Sequence, residues 1–164
     1  MIAVRPSTRA DIGAIDALLG RSYPQLLKAD YPPSALVTVL PLMTRAQPGL
    51  VASGRYFVAE EAGRVLGAGG WSEALPGGGA PIAGRANIRH VATDPEALGR
   101  GVGRAIVEAA LAQAREAGMT WVHCISTLTA VPFYRALGFE EMGPMTLQMR
   151  PGIDFAAVAM RRDL

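Results

Sequence analysis

The chain opens with two hydrophobic patterns of different period. Residues 2–5 alternate in the manner of a short strand. Apolar residues at positions 12, 15, 18 and 19 then follow the spacing of a helix, and Ser7 or Thr8 can cap its first turn. The first unit is therefore predicted to be a strand followed by a helix.

The next apolar segments predict a second helix and a hairpin. The helix is expected from about Ser34 to Met43, with an interruption at Pro41, because proline removes a helical hydrogen bond. Two strands, about 56–60 and 64–71, are joined by a tight turn and form an antiparallel hairpin. Glycines in the second strand weaken it or let another backbone or a ligand approach closely. The glycine-rich stretch 76–81 then predicts a surface loop.

The middle of the chain predicts a unit of strand, helix and strand. A strand from about Ala86 to Thr93 leads into a turn with alternating glycines, and a helix follows from about Gly101 to Ala117. Gly118 suits the position just after that helix, and the next strand covers residues 121–125. This crossover favours a parallel pair of strands, with ligands bound beyond their carboxyl ends.

The final third of the chain predicts one short helix and two strands. The helix runs from about Ala130 to Leu137, with Thr129 as its N-cap and Pro132 in its first turn. Strand-like segments cover residues 139–150 and 153–162. Together the elements predict a mixed α/β fold with antiparallel flanks.

Length and composition favour one domain over residues 1–164. At 164 residues and 50% hydrophobic content, the chain can bury a core without disulfide or metal staples. Cys124 is the only cysteine, so no internal disulfide is expected. There is no amino-terminal signal pattern and no run of about eighteen apolar residues, which predicts a soluble cytoplasmic protein without a membrane partner.

Charge and metal-ligand patterns argue against two further classes of function. The formal net charge is +2 and the basic residues are scattered, so nucleic acid is not an expected partner. His90, His123 and Cys124 fit no usual ligand spacing, so no metal site is expected.

The most specific chemical signal lies in residues 98–104, called the glycine turn below. Gly99, Gly101 and Gly103 let the backbone curl around a ligand, and the first N–H groups of the following helix can point at an anion. Arg100 and Arg104 would add positive charge at the same end. The spacing departs from the dinucleotide fingerprint, and no Lys-Ser or Lys-Thr pair supplies a nucleotide loop. A phosphate site and a turn that merely starts a helix are the alternatives.

Two segments and the order of elements resemble the GNAT superfamily of acyl-coenzyme-A-dependent N-acetyltransferases. Residues 88–95 followed by the glycine turn are similar to that family's pyrophosphate-binding motif, R/Q-x-x-G-x-G/A. Residues 130–139, AVPFYRALGF, look like its A-x-x-F-Y-x-x-x-G-F segment. The resemblance covers nearly the whole chain. It implies a central mixed, mostly antiparallel sheet with a splayed parallel pair and helices on both faces.

The resemblance also implies acetyl-coenzyme A as co-substrate. Main-chain groups of Val91 and Thr93 would pair with its pantetheine arm, and the Val91 N–H would polarise the thioester carbonyl. The implied binding residues are Val91, Ala92, Thr93, Gly99, Arg100, Gly101, Val102, Gly103, Arg104, Thr127 and Phe133. Three positions depart from the family pattern: Leu98 replaces the usual Arg or Gln, Thr127 a frequent Asn, and Arg89 a frequent Glu.

Tyr134 is the predicted general acid. Its phenol, with an ordinary pKa of about 10, stays protonated at neutral pH and can return a proton to a thiolate whose pKa is about 8.5. On the helix pattern alone Tyr134 would be a core aromatic. The match to the F-Y-x-x-x-G-F segment favours the catalytic role.

The general base is open at this stage. Arg89 cannot accept a proton, so the family's usual base is not carried over. His90 is the first candidate, because it lies on the strand that would hold the thioester and has an ordinary pKa of about 6.5. His123, Glu73, a water chain or an amine that arrives deprotonated are alternatives. Cys124 is expected to be a core residue rather than an acyl carrier.

These features predict an N-acetyltransferase that moves an acetyl group from acetyl-coenzyme A to a primary amine by direct attack in a ternary complex. The acceptor would be a small-molecule or peptide amine, and a homodimer is one assembly open to such a domain. The alternatives are a non-catalytic module of the same fold that binds coenzyme A as a sensor or structural ligand, and a Rossmann-like nucleotide binder.

Overall fold

The structure is a computed structural model that describes residues 1–76 and 78–164. The loop predicted over 76–81 therefore lies partly outside the described residues, at Gly77. Within the described ranges, no helix is both long and apolar enough to cross a membrane.

The described regular structure consists of seven strands, five α-helices and three short 3-10 helices. The strands are β1 (Ala3–Pro6), β2 (Tyr56–Glu61), β3 (Arg64–Ser72), β4 (Arg85–Thr93), β5 (Trp121–Thr127), β6 (Glu140–Arg150) and β7 (Ile153–Asp163). The helices are α1 (Ile12–Leu26), α2 (Pro33–Met43), α3 (Pro48–Val51), α4 (Val102–Glu116) and α5 (Val131–Ala136). Every predicted strand and helix is present, and the predicted bounds lie within two residues of these.

Two local predictions were wrong. Helix α2 continues through Pro41 to Met43, because the carbonyl that loses its partner belongs to Val37, which is 71% exposed and open to water. The N-cap of α5 is Ala130 rather than Thr129. The hydroxyl that serves this turn belongs to Thr127, whose Oγ1 accepts a hydrogen bond from the Ala130 N–H at 3.2 Å.

The seven strands form a single sheet in the order β1-β2-β3-β4-β5-β7-β6. All neighbours are antiparallel except β4 and β5, which are parallel. The parallel pair is in register only from Arg85 to Asn87, opposite Trp121 to His123. Beyond Asn87 the two strands diverge, which confirms the splayed parallel pair and opens a gap in the middle of the sheet.

Helices cover both faces of the sheet. One cluster of buried side chains packs α4 and α5 against the strands, and the other packs α1 and α2. Glycines in β3 let α4 approach closely: a Cβ at Gly67 would lie 2.4 Å from Val102 Cγ1, and one at Gly69 would lie 2.9 Å from Ile106 Cγ2. This close packing sets where the amino end of α4 lies relative to the gap.

Candidate active site

A cavity of about 400 Å³ occupies the gap between β4 and β5. Strand β4 lines it from Ile88 to Thr93, and β5 lines it from Ile125 to Thr127. The other walls come from α1, α2 and the hairpin of β6 and β7; they include Tyr23, Leu26, Leu42, Met43, Leu147, Met149 and Phe155. The cavity therefore lies at the carboxyl ends of the parallel pair, where the crossover predicted a ligand.

A second cavity of about 230 Å³ lies at the glycine turn. Its walls include Gly99 and residues 101–104, followed by side chains of α5. Thr93, Leu98 and Phe133 line both cavities, so the two adjoin. A long ligand can therefore extend from the glycine turn into the gap of the sheet.

The backbone of the glycine turn is shaped to bind an anion. Gly99 and Gly101 have φ angles of 77° and 80°, which residues with a Cβ rarely adopt. Helix α4 starts at Val102 and no side chain caps it. Its first N–H groups have no acceptor within the helix, and the residues that carry them, 102–104, line the second cavity. A Cβ at Gly103 would lie only 3.0 Å from the Phe133 ring and 3.2 Å from Thr93 Oγ1. These residues fit a pyrophosphate group.

The two arginines of the glycine turn differ in placement. The Arg104 side chain lies beside the second cavity and pairs with Glu108 at 3.2 Å, one helical turn away. The Arg100 guanidinium pairs with Glu61 at 2.7 Å, and Arg100 is absent from the described walls of both cavities. Arg104 thus lines the second cavity, whereas the hairpin of β2 and β3 brings Glu61 to the Arg100 guanidinium, and the cofactor-binding role of Arg100 stays a prediction.

Strand β4 carries a bulge at the centre of the site. The register between β3 and β4 shifts between Ala68 and Gly70, and His90, opposite this shift, has a φ angle of 53°. Two tyrosine hydroxyls donate to the displaced carbonyls: Tyr56 to His90 O at 2.7 Å and Tyr23 to Val91 O at 3.0 Å. Sequence reasoning missed both tyrosines, although the hydroxyl of a buried tyrosine usually finds a hydrogen-bond partner.

The His90 ring lies in the wall of the larger cavity. It stacks on Tyr23 with ring centroids 5.9 Å apart. Its Nε2 lies 2.8 Å from Met43 O, and since a carbonyl only accepts, Nε2 must carry the proton. Burial lowers the pKa of His90 below its ordinary 6.5. In the neutral ring the free lone pair is then on Nδ1. Nδ1 is therefore the nitrogen that would accept a proton in the predicted role of His90 as base.

Tyr134 is buried in the wall of the same cavity. Its ring meets Phe133 and Phe139 edge-on at 5.0 and 5.3 Å, and the buried Cys124 belongs to the same core cluster. Burial raises the pKa of Tyr134 well above 10, so the phenol keeps its proton at neutral pH. Burial also raises the pKa of Cys124 to about 12, which leaves a thiol rather than a nucleophilic thiolate.

Of the remaining residues considered in the sequence analysis, some line the larger cavity and others lie outside its wall. Thr127 and Arg89 line the larger cavity. His123 and Glu73 are absent from its described walls, and Glu73 instead pairs with Arg55 at 3.1 Å. In the two described ranges, no group of three or more His, Cys, Asp or Glu residues could hold a metal ion.

Comparisons with solved structures show the same fold. A GCN5-related N-acetyltransferase from Rhodopseudomonas palustris aligns with a TM-score of 0.79 and 21% identity over 99% of this chain and 95% of that chain. The PaiA N-acetyltransferase from Thermoplasma acidophilum, solved in complex with coenzyme A, aligns with a TM-score of 0.70 and 12% identity over 100% and 99%. A GNAT family acetyltransferase from Brucella melitensis, solved in complex with acetyl-CoA, aligns with a TM-score of 0.60 and 25% identity over 85% and 83%.

Comparison with sequence families points the same way. A search of curated protein sequences finds no match. The model of a family described as an acetyltransferase (GNAT) domain matches residues 52–141, which is more than half of the chain and runs from the approach to β2, through the glycine turn and α5, into β6. The chain therefore belongs to the GNAT family of acetyltransferases and is an acyltransferase.

Proposed function

We propose that this protein transfers an acetyl group from acetyl-coenzyme A to a primary amine by direct attack in a ternary complex. One observation carries the proposal: the glycine turn, shaped to bind an anion, adjoins a cavity that reaches a bulged strand, a half-buried histidine and a buried phenol. In this proposal residues 1–164 act as one domain.

The donor would extend across both cavities. The N–H groups of the glycine turn and the first turn of α4 would hold the pyrophosphate, and Arg104 would add charge beside it. The pantetheine arm would lie in the gap along Val91, Ala92 and Thr93, with Thr127 and Phe133 opposite. The Val91 N–H would donate to the thioester oxygen as negative charge develops there. Tyr23 supports this role, because its bond to Val91 O restrains the strand at that residue.

The acceptor would approach from the side of α1, α2 and the hairpin of β6 and β7. Its nitrogen attacks the thioester carbon, a C–N bond forms, and the C–S bond breaks. The amine proton passes to His90 Nδ1 or to water, and the leaving thiolate takes the proton of Tyr134. No acyl group passes through Cys124, because its thiol stays protonated at neutral pH.

Acetyl-coenzyme A binding and turnover test the proposal together. Titration calorimetry should show one site, and a panel of primary amines should release coenzyme A thiol in the presence of acetyl-coenzyme A. The Tyr134→Phe variant should lower kcat about 100-fold while leaving the cofactor Kd nearly unchanged, since it removes a proton donor and little contact area.

Cys124→Ala is the matched control for Tyr134→Phe. It alters the group beside the phenol and is expected to keep most of the activity, with a modest loss of stability from the small cavity. Full activity in Tyr134→Phe would remove the phenol from the mechanism. Loss of turnover in Cys124→Ala, with a burst of thiol release in the wild type, would instead indicate a covalent route.

A further inference from the structure

Arg89 places a positive charge in the wall of the larger cavity without an acidic partner. It is half-buried on β4, and its Nη1 donates to Ser72 Oγ at 2.9 Å while Nη2 donates to Gln47 Oε1 at 2.7 Å. Both partners are neutral. Across the part of the chain that the structure describes, Arg89 has no carboxylate within ion-pair distance, whereas the arginines of the glycine turn each have one.

The rest of the cavity wall holds nothing that could balance this charge. Its described residues include no Asp, Glu or Lys, and Arg89 is the one permanently charged side chain among them. The wall on the side of α2 and the β6–β7 hairpin is apolar; it includes Leu42, Met43, Leu147, Met149 and Phe155. A ligand in this region therefore meets an apolar surface and one guanidinium.

An apolar wall with one guanidinium that lacks an acidic partner discriminates among amine ligands by their charge. Burial lowers the pKa of Arg89, yet a guanidinium stays protonated in proteins, so its desolvation has to be offset by an anion or by water. Three of its five N–H donors are left after the bonds to Ser72 and Gln47, enough for a carboxylate or phosphate group. A second ammonium on the acceptor would find no carboxylate and would be repelled by Arg89.

We propose that the acceptor is a primary amine that also carries an anionic group and an apolar body, and that Arg89 binds the anionic group. This inference rests on the proposed function, since it concerns the acceptor of that reaction. It disfavours polyamines and other polycationic amines as acceptors.

Matched ligands of one shape test this specificity. Leucine, 1-amino-3-methylbutylphosphonate and 3-methylbutylamine share an apolar body and differ in the anionic group, and 1,5-diaminopentane adds a second positive charge. A second series on phenylalanine and phenethylamine repeats the comparison with a larger body. Binding to the coenzyme-A-saturated protein is measured by calorimetry, and transfer from acetyl-coenzyme A by thiol release.

The wild type is expected to favour the members that carry an anionic group over the plain amine that lacks one by about 100-fold in Kd or kcat/KM. Preference for leucine identifies a carboxylate, and preference for the phosphonate identifies a phosphate-like group. Arg89→Gln should abolish the preference, and Arg89→Lys should keep part of it. The matched control Arg9→Gln, on an exposed residue before α1, should keep the full preference.

The two proposals fail in different ways. If acetyl-coenzyme A does not bind, the proposed function fails. If it binds, and the amines that lack an anionic group bind as tightly in both series as their counterparts that carry one, this inference is overturned while the proposed function stands. The comparison of ligands on the wild-type protein tests this inference even if Arg89→Gln does not fold.

Discussion

Gly103 of α4 lies against Thr93 of β4 and Phe133 of α5. A side chain at this position would meet the Phe133 ring at 3.0 Å and Thr93 Oγ1 at 3.2 Å, and both residues also line the two adjoining cavities. Since protein interiors are close-packed, these neighbours could give way only by narrowing the passage between the cavities. The absence of one side chain thus keeps the proposed path of the donor open.

Gly103→Ala is therefore expected to weaken acetyl-coenzyme A binding about tenfold or more with little loss of folding stability, because alanine favours the helix while its methyl group narrows the passage. Calorimetry gives the Kd and chemical denaturation gives the free energy of unfolding. Gly13→Ala in α1 is the control: its Cβ meets nothing within 4 Å, so stability should rise slightly with no change in Kd. Equal Kd values for the two variants would contradict the role given to Gly103.

At the scale of elements, the bulge of β4 depends on side chains from α1 and β2. A bulge leaves main-chain groups without partners in the ladder, and buried groups of that kind are costly unless bonded elsewhere. The hydroxyls of Tyr56 and Tyr23 donate such hydrogen bonds to His90 O and Val91 O. The same peptides belong to the proposed thioester site, so the two hydroxyls link folding stability to turnover.

Tyr56→Phe should lower the free energy of unfolding by about 1–3 kcal/mol, because it leaves a buried carbonyl without its donor. It should also lower kcat/KM, because the bulge is no longer restrained. Tyr31→Phe is the control: it removes two phenol bonds, one donated to Ala156 O of β7 and one accepted from the Leu128 N–H, and should cost at least comparable stability without lowering kcat/KM. Thermal or urea unfolding and steady-state kinetics separate the two effects, and unchanged turnover in Tyr56→Phe would contradict the link.

At the scale of the whole molecule, Asp94 joins segments that are distant in sequence. Its buried carboxylate accepts bonds from Arg21 of α1 at 3.2 Å, Arg64 of β3 at 2.9 Å and the Glu96 N–H at 2.9 Å. Burial by itself would raise the pKa of Asp94, but these three donors outweigh it and hold the pKa below its ordinary 3.8. The carboxylate therefore anchors the segment just before the glycine turn to the rest of the fold.

A lowered pKa in the folded state predicts a definite pH dependence. Asp94 contributes its full stability above the unfolded pKa of about 3.9, and this contribution is lost as the pH falls through the lower folded pKa. Asp94→Asn should cost about 1–3 kcal/mol at neutral pH, a range that allows for water around the half-exposed arginines. The difference from the wild type should shrink as the pH falls below about 4.

Urea unfolding between pH 7 and pH 3 measures this difference. Asp163→Asn is the control, since Asp163 is 79% exposed in its pair with Arg161 and its removal should change little at any pH. If the difference in the free energy of unfolding between the wild type and Asp94→Asn stays constant down to pH 3, this result would contradict the role of the carboxylate charge.

Much of the site could be predicted from short stretches of sequence. The glycine turn, the start of α4 and the position of Tyr134 all follow from residues that act on their near neighbours, and the structure brings the glycine turn and Tyr134 to adjoining cavities. Partners across the fold could not be predicted. Glu61 meets Arg100, Tyr56 meets His90 O, and Met43 O meets His90 Nε2 only after the chain has folded.

The sequence by itself determined the order and approximate bounds of the strands and of every α-helix except α3, together with the family, because hydrophobic period, proline, glycine and the two motifs each act within a few residues. The tertiary structure decided which groups face the cavity. It turned the Arg100 guanidinium to Glu61, left Arg89 in the cavity wall beside neutral partners, and gave the bulge of β4 its tyrosine donors. These outcomes depend on residues 17 to 68 positions apart, and the packing of α1, α2 and the hairpins brings such residues together.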